Sequence, residues 1–238
     1  MSEYSDAIRS LFSEWAEKSE IVIGGTPIAR NHFIRDGIVD ENAWQQVSPG
    51  KHILFVLKEV NDPNPTSDWT IQELLSHDAK YTIWRRVAEW TRGIMLTDER
   101  GSFVPYEEFP GGNGTHDWLK KIAVLNLKKT SGSNSADMSK IMEYAKADAA
   151  EIRREITLID PDIVVCGGTK NELFAAVGLS DNEEAMSNFY KYSYINFCGR
   201  KRLLIDYYHP ANRYPRVLNY YGITGIYCHA CQSREDKT

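Results

Sequence analysis

Four cysteines among 238 residues (Cys166, Cys198, Cys228 and Cys231) are too few for a disulfide framework in a chain of this length, so a reduced, cytoplasmic setting is expected. Also missing is any apolar run near the roughly 20 residues needed to span a bilayer, and no membrane contact is expected. The first twenty residues mix charge with apolar residues, where a secretory leader needs a basic start and an unbroken apolar stretch. A basic excess is absent too. Thirty-three Asp and Glu against 28 Lys and Arg leave a formal charge of -5, which excludes a polycation that coats nucleic acid; any DNA contact has to come from a local basic patch. What is present is an ordinary globular mixture, 42% hydrophobic and 26% charged. Thirteen Tyr, eight Phe and six Trp are enough aromatics to fill a core or to stack on a planar ligand.

Ile8, Leu11, Phe12, Trp15 and Ala16 follow helical spacing and predict an amphipathic opening helix. Between Ile21 and Trp44 short apolar runs are broken by Gly24 to Pro27 and by Asp36-Gly37, which predicts irregular structure or a small hairpin. Four short apolar runs then stand out: 52–58, 122–127, 162–166 and 202–208. Each suits a strand buried on both faces. Between them lie helical stretches: one running to about Thr91 with Leu74, Leu75, Trp84, Val87 and Trp90, one long helix over 136–158, and one starting near 169–170. A last helix is expected over 213–221. Strands separated by helical crossovers predict an α/β chain, a three-layer α/β/α sandwich with a mainly parallel four-stranded central sheet. The expected organisation is a single domain over 1–238, with an N-terminal helix and irregular extension over 1–50, a core over 51–222 and a C-terminal tail over 223–238.

Ligands of open α/β sheets gather beyond the carboxyl ends of the strands. The four ends here read Lys-Glu-Val-Asn-Asp-Pro (58–63), Asn-Leu-Lys-Lys-Thr (126–130), Gly-Gly-Thr-Lys (167–170) and His-Pro-Ala-Asn-Arg (209–213). In order, spacing and placement they resemble the uracil-DNA glycosylase superfamily over roughly Ile53 to Arg213. The resemblance implies a strand order of 2-1-3-4 and an enzyme that hydrolyses the N-glycosidic bond of a deaminated or damaged base in DNA. Glu59, Asn61 or Asp62 would stand where the water-side group belongs, Asn126 would read the base, and His209 would stabilise the leaving base. Trp69 is a stacking candidate, and Lys128, Lys129, Arg213 and Arg216 are candidates for a phosphate-contacting rim. Superfamily branches with an iron–sulfur cluster carry an early Cys-x-x-Cys; the pair here is the late Cys228 and Cys231, so neither cluster nor other cofactor is expected, and no metal.

The residue types suit that chemistry. Breaking a base–sugar bond creates a cationic sugar and an anionic base; a carboxylate or amide places water and steadies the sugar charge. A histidine N–H aimed at a base carbonyl steadies the anion as an oxyanion hole does. An asparagine amide offers a donor and an acceptor together. Plainer readings exist for each. His209 could cap a backbone carbonyl, Asn126, Asn61 and Asp62 could be turn formers, and Glu59 could pair with a rim lysine. Lys128, Lys129, Arg213 and Arg216 could be a solvated face. Gly167 to Lys170 suits a tight strand-to-helix turn with Thr169 as N-cap, or a phosphate cradle in an unrelated nucleotide-binding enzyme. A non-catalytic module of the same fold, binding a nucleobase, a nucleotide, nucleic acid or a protein, is the rival to the enzyme.

Overall fold

The computed structural model describes residues 2–18, 20–62, 66–77, 81–107, 113–133, 135–179 and 191–235. Pro63 of the first strand-end loop, Pro110 to Gly112 and Asn134 lie outside the described residues. The chain opens with α1 (Glu3–Ala16), whose Leu11, Phe12 and Trp15 are buried as the helical spacing requires. Ser2 caps it by accepting from the Ser5 N–H. A hairpin of β1 (Glu20–Ile23) and β2 (Thr26–Ala29) follows, then β3 (Ile34–Arg35), β4 (Gly37–Ile38) and α2 (Glu41–Gln45). The central region contains β5 (Ile53–Leu57), β6 (Trp69–Thr70), α3 (Ile71–His77), α4 (Thr82–Leu96), α5 (Asn113–Leu119) and β7 (Ile122–Asn126). The chain continues through α6 (Met138–Ala147), α7 (Ala149–Ile159), β8 (Ile163–Gly167), α8 (Lys170–Val177), β9 (Tyr192–Phe197), β10 (Arg200–Tyr207) and α9 (Arg216–Glu235).

The fold is mixed α/β around a six-stranded, mostly parallel sheet in the order β4-β7-β5-β8-β10-β9. Its four parallel strands are those expected from the apolar runs, and they stand in the order second, first, third, fourth. The expected count of four needs correction. Two antiparallel strands extend the sheet: β4 on β7 at one edge and β9 on β10 at the other. Neither has the signature of a strand buried on both faces, because β4 is two residues long and β9 is largely half-exposed.

β5, β7 and β8 are buried at every position, and their side chains alternate between two apolar layers. Leu54, Val56, Ala123, Leu125 and Val164 meet Phe12, Trp15, Ile152 and Ile156 from α1 and α7. Ile53, Phe55, Val124 and Val165 meet Trp84, Val87 and Trp90 of α4, with Ile223 and Tyr227 of α9. Helices thus cover both faces of the sheet. Each fully buried aliphatic or aromatic side chain contributes about 1.5–3 kcal/mol.

Three further boundaries differ from expectation. The helix predicted over 136–158 is two helices broken at Asp148, whose fully buried carboxylate pairs with Arg30 at 2.6 Å. The helix predicted to run to Thr91 is likewise two, α3 and α4. The segment 223–238, expected as a tail, is helical to Glu235 and buries Ile223, Tyr227 and Ala230 against the sheet. That helix carries Tyr, Cys, His and Gly among its apolar positions, which blurs the stripe on which the sequence reading relies.

Candidate functional site at the carboxyl ends of the strands

Register places the four strand ends level with one another. Leu57 pairs with Asn126, Val56 with Cys166, and Tyr207 with Gly167. The loops that follow share one rim. Lys128 N–H donates to the Lys58 carbonyl at 3.0 Å and Gly132 N–H to the Val60 carbonyl at 2.8 Å, joining the first two loops. Gly168 N–H donates to the Tyr207 carbonyl at 2.8 Å, joining the last two. Gly168 has φ +67°, a conformation that favours glycine, and a Cβ there would lie 3.8 Å from His209 Cβ and 3.9 Å from Lys58 Cε. Lys58 therefore bridges the two pairs.

His209 lies just beyond β10, half-buried. Its Nδ1 accepts from the Ala211 N–H at 3.1 Å, so in the neutral ring the proton is on Nε2, which is left as a donor. Burial first, and the Lys58 ammonium second, push its pKa down from 6.5 to about 4. The unfolded chain takes up this proton near pH 6.5 and the folded chain only near pH 4, so stability is full above pH 6.5 and falls on acidification through that window. The loss expected from this one group is roughly 3 kcal/mol. Urea titrations of the parent and His209→Asn at pH 7, 5.5 and 4.5 check it: the variant should lack this component. Parallel curves for both proteins would refute it.

Glu59 is ion-paired with Lys128, whose ammonium also donates to the Ser131 carbonyl at 2.6 Å. The chain passes so close that a Cβ on Gly132 would overlap the Glu59 carboxyl. Asn61 is exposed and forms a backbone bridge with Gly132. Asp62 accepts from the Trp69 indole N–H at 3.1 Å. Trp69 itself is half-buried in β6, packed on the α4 layer. Asn126 is 3% exposed, and its amide N–H and side-chain Nδ2 donate to Asp36 Oδ2 at 2.6 and 3.1 Å. Arg213 is exposed, and neither it nor half-buried Lys58 makes an ion pair among the described residues. Arg216 pairs instead with the buried Glu89.

Glu59, Lys128, Lys58 and His209 are thus brought to one rim, with Asn126 on the same side of the sheet. His209 stands three strand positions from Asn126, roughly 14 Å by the ordinary strand spacing. Lys129 does not join them. It is fully buried and pairs with Asp36 and Glu155, beneath the rings of Phe12 and Trp15; the rim expectation for this residue is corrected. Thr169 occupies the N-cap position of α8, yet its hydroxyl donates to the Val56 carbonyl at 2.8 Å rather than to the helix end. Arg200 and Arg202 bind Asp160 and Asp162 at the opposite end of the sheet.

Sequence reasoning missed three contributors. Asp36 reads as half of an Asp-Gly turn, Glu155 as one charge of a charged helix, and Arg86 sits between tryptophans of α4. Arg86 is buried and donates to the Pro210, Asn212 and Tyr214 carbonyls, clamping the loop that carries His209. No local signal marks it, since its partners are backbone atoms over a hundred residues away. Among the described residues no group of three His, Cys, Asp or Glu could hold a metal, and no helix is long and apolar enough to cross a membrane. No family model matches the chain, and no curated protein matches it significantly.

Proposed function

We propose that the chain is a divergent member of the uracil-DNA glycosylase type and hydrolyses the N-glycosidic bond of a deaminated or damaged base in DNA. The observation that carries this reading is His209: a neutral imidazole at the rim, its Nδ1 taken up by Ala211, leaving an Nε2–H to steady an anionic leaving base. The order of the four parallel strands, second-first-third-fourth, supports the same fold type. Asn126 reads the base through its Oδ1, which suits the imide N–H of uracil, while Asp36 fixes the amide by its Nδ2. Glu59, or Asn61 or Asp62 beside it, handles the water and the sugar charge. Lys58 and Arg213 supply the local positive charge for DNA phosphates.

A second reading has its own observation. Glu59 is ion-paired and the Asn126 donor is taken up by Asp36, an arrangement equally suited to a non-catalytic module that binds a nucleobase or nucleic acid. Incubation with uracil-containing single- and double-stranded oligonucleotides, followed by alkaline cleavage, separates the two. Abasic product made by the parent protein supports hydrolysis. Retention of the oligonucleotide with no abasic product would leave the binding module.

A further inference from the structure

The loop that carries His209 presents an aromatic surface to solvent. Tyr208 is 53% exposed and Tyr214 54%, with ring centroids 5.2 Å apart and planes inclined at 54°. Two large rings in mutual contact and open to solvent offer a surface on which a partner can pack. Below them Tyr207 closes the layer: its ring lies 5.2 Å from that of Tyr208, and its hydroxyl donates to the Asn219 carbonyl at 3.0 Å.

The loop is held rigid. Arg86 binds three of its carbonyls, and Asn212 and Asn219 exchange side-chain bonds at 2.9 and 3.1 Å. Asn212 also accepts from the Tyr214 N–H at 3.0 Å. Ordering such rings on binding therefore costs little.

Charge decides the occupant. Exposed Arg213 lies between the two tyrosines in sequence and has no ion pair among the described residues, and Lys58 adjoins His209. Glu89, the carboxylate of α4 beside this loop, is 1% exposed and neutralised by Arg216. Flat amphipathic rings on a loop that also carries an exposed arginine, with no ion pair among the described residues, suit a chain of planar bases joined by phosphates, and bases can stack on such rings only where they are unpaired. The geometry points to a stacking platform, Tyr208 and Tyr214 with Arg213, that takes the unpaired bases of single-stranded nucleic acid beside His209. This deepens the base-directed reading of the rim, on which it rests for the identity of the neighbouring site.

The test is fluorescence anisotropy of the full chain with labelled oligodeoxythymidine, which contains no base to be cleaved, and with a duplex of equal length. The single strand should bind more tightly. Tyr208→Ala and Tyr214→Ala should each weaken it by about 5- to 150-fold, while Tyr208→Phe stays near the parent. Arg213→Ala should lower the salt slope by about one. Both rings are more than half exposed, so unchanged thermal melting will show that the variants fold. Parent-like binding by both Ala variants, or duplex bound at least as tightly, overturns the platform. So does absence of binding together with a Tyr214→Ala change in the sedimentation of the protein alone, which would make the surface a self-association face. Oligodeoxythymidine binding that needs the tyrosines, with uracil DNA left uncleaved, keeps the platform and removes hydrolysis; cleavage indifferent to both tyrosines does the reverse.

Discussion

Lys129→Met is expected to destabilise the chain by about 3–5 kcal/mol, the cost of breaking a buried ion pair by removing one partner. Lys129, Asp36 and Glu155 all have fully buried side chains, and the ammonium contacts both carboxyls. Burial works to lower the Lys129 pKa, but Asp36 and Glu155 together outweigh it and hold the ammonium above its usual range. Burial first, and Asp36 second, push the Glu155 carboxyl well above the usual carboxylate range. Without the ammonium, both carboxyls sit in an apolar layer facing each other. The Glu155 carboxyl, already raised by burial and by Asp36, then loses the cation that lowered it, so the variant retains stability at low pH and loses it as pH rises. Urea denaturation should show a larger deficit at pH 8 than at pH 5. Adding Asp36→Asn and Glu155→Gln should recover most of the loss, because neutral groups that keep hydrogen bonds cost far less to bury. A deficit below about 1 kcal/mol at both pH values would show that the cluster is not an ion pair in this sense. The consequence reaches the rim: Asp36 also holds the Asn126 backbone and side chain, so this cluster sets the end of β7.

The parallel strands were legible because each is a short apolar run buried on both faces, a pattern that needs no knowledge of the neighbours. Their carboxyl ends could be read for the same reason, and His209 follows directly from a strand that stops at His-Pro. The edges were not legible. β4 consists of Gly37 and Ile38 and exists only because β7 offers it a partner. The buried triad was hidden more deeply. Asp36 precedes a glycine, Lys129 follows another lysine, and Glu155 follows two arginines, each pattern being that of a solvated residue. Periodicity reports which apolar residues face inward and is silent about charges that tertiary pairing carries inside. Glu59 shows the converse limit. Its position was readable, and so was a pairing with a rim lysine; that the partner is Lys128 depends on the backbone of two loops meeting at Gly132.

On the hydrolytic function proposed for the rim, replacement of His209 should lower the single-turnover rate of base release by about 10²–10³-fold for alanine, the usual effect of removing one donor to a developing anion. His209→Gln, which retains an N–H donor, should recover part of that loss. The pH profile distinguishes a donor from a base. With its pKa near 4, His209 stays neutral from pH 5 to 8 and contributes no ionisation limb there; an imidazole acting as a proton acceptor with the ordinary pKa near 6.5 would produce one. A limb near pH 6.5 that disappears in His209→Gln would assign the proton-acceptor role and overturn the donor assignment. Alanine behaving like the parent would remove His209 from the reaction altogether. The clamp supplies the independent check. Arg86→Leu keeps the imidazole in the chain but frees the Pro210, Asn212 and Tyr214 carbonyls that fix its loop. It should therefore slow base release while leaving the profile flat, since the donor is misplaced rather than removed.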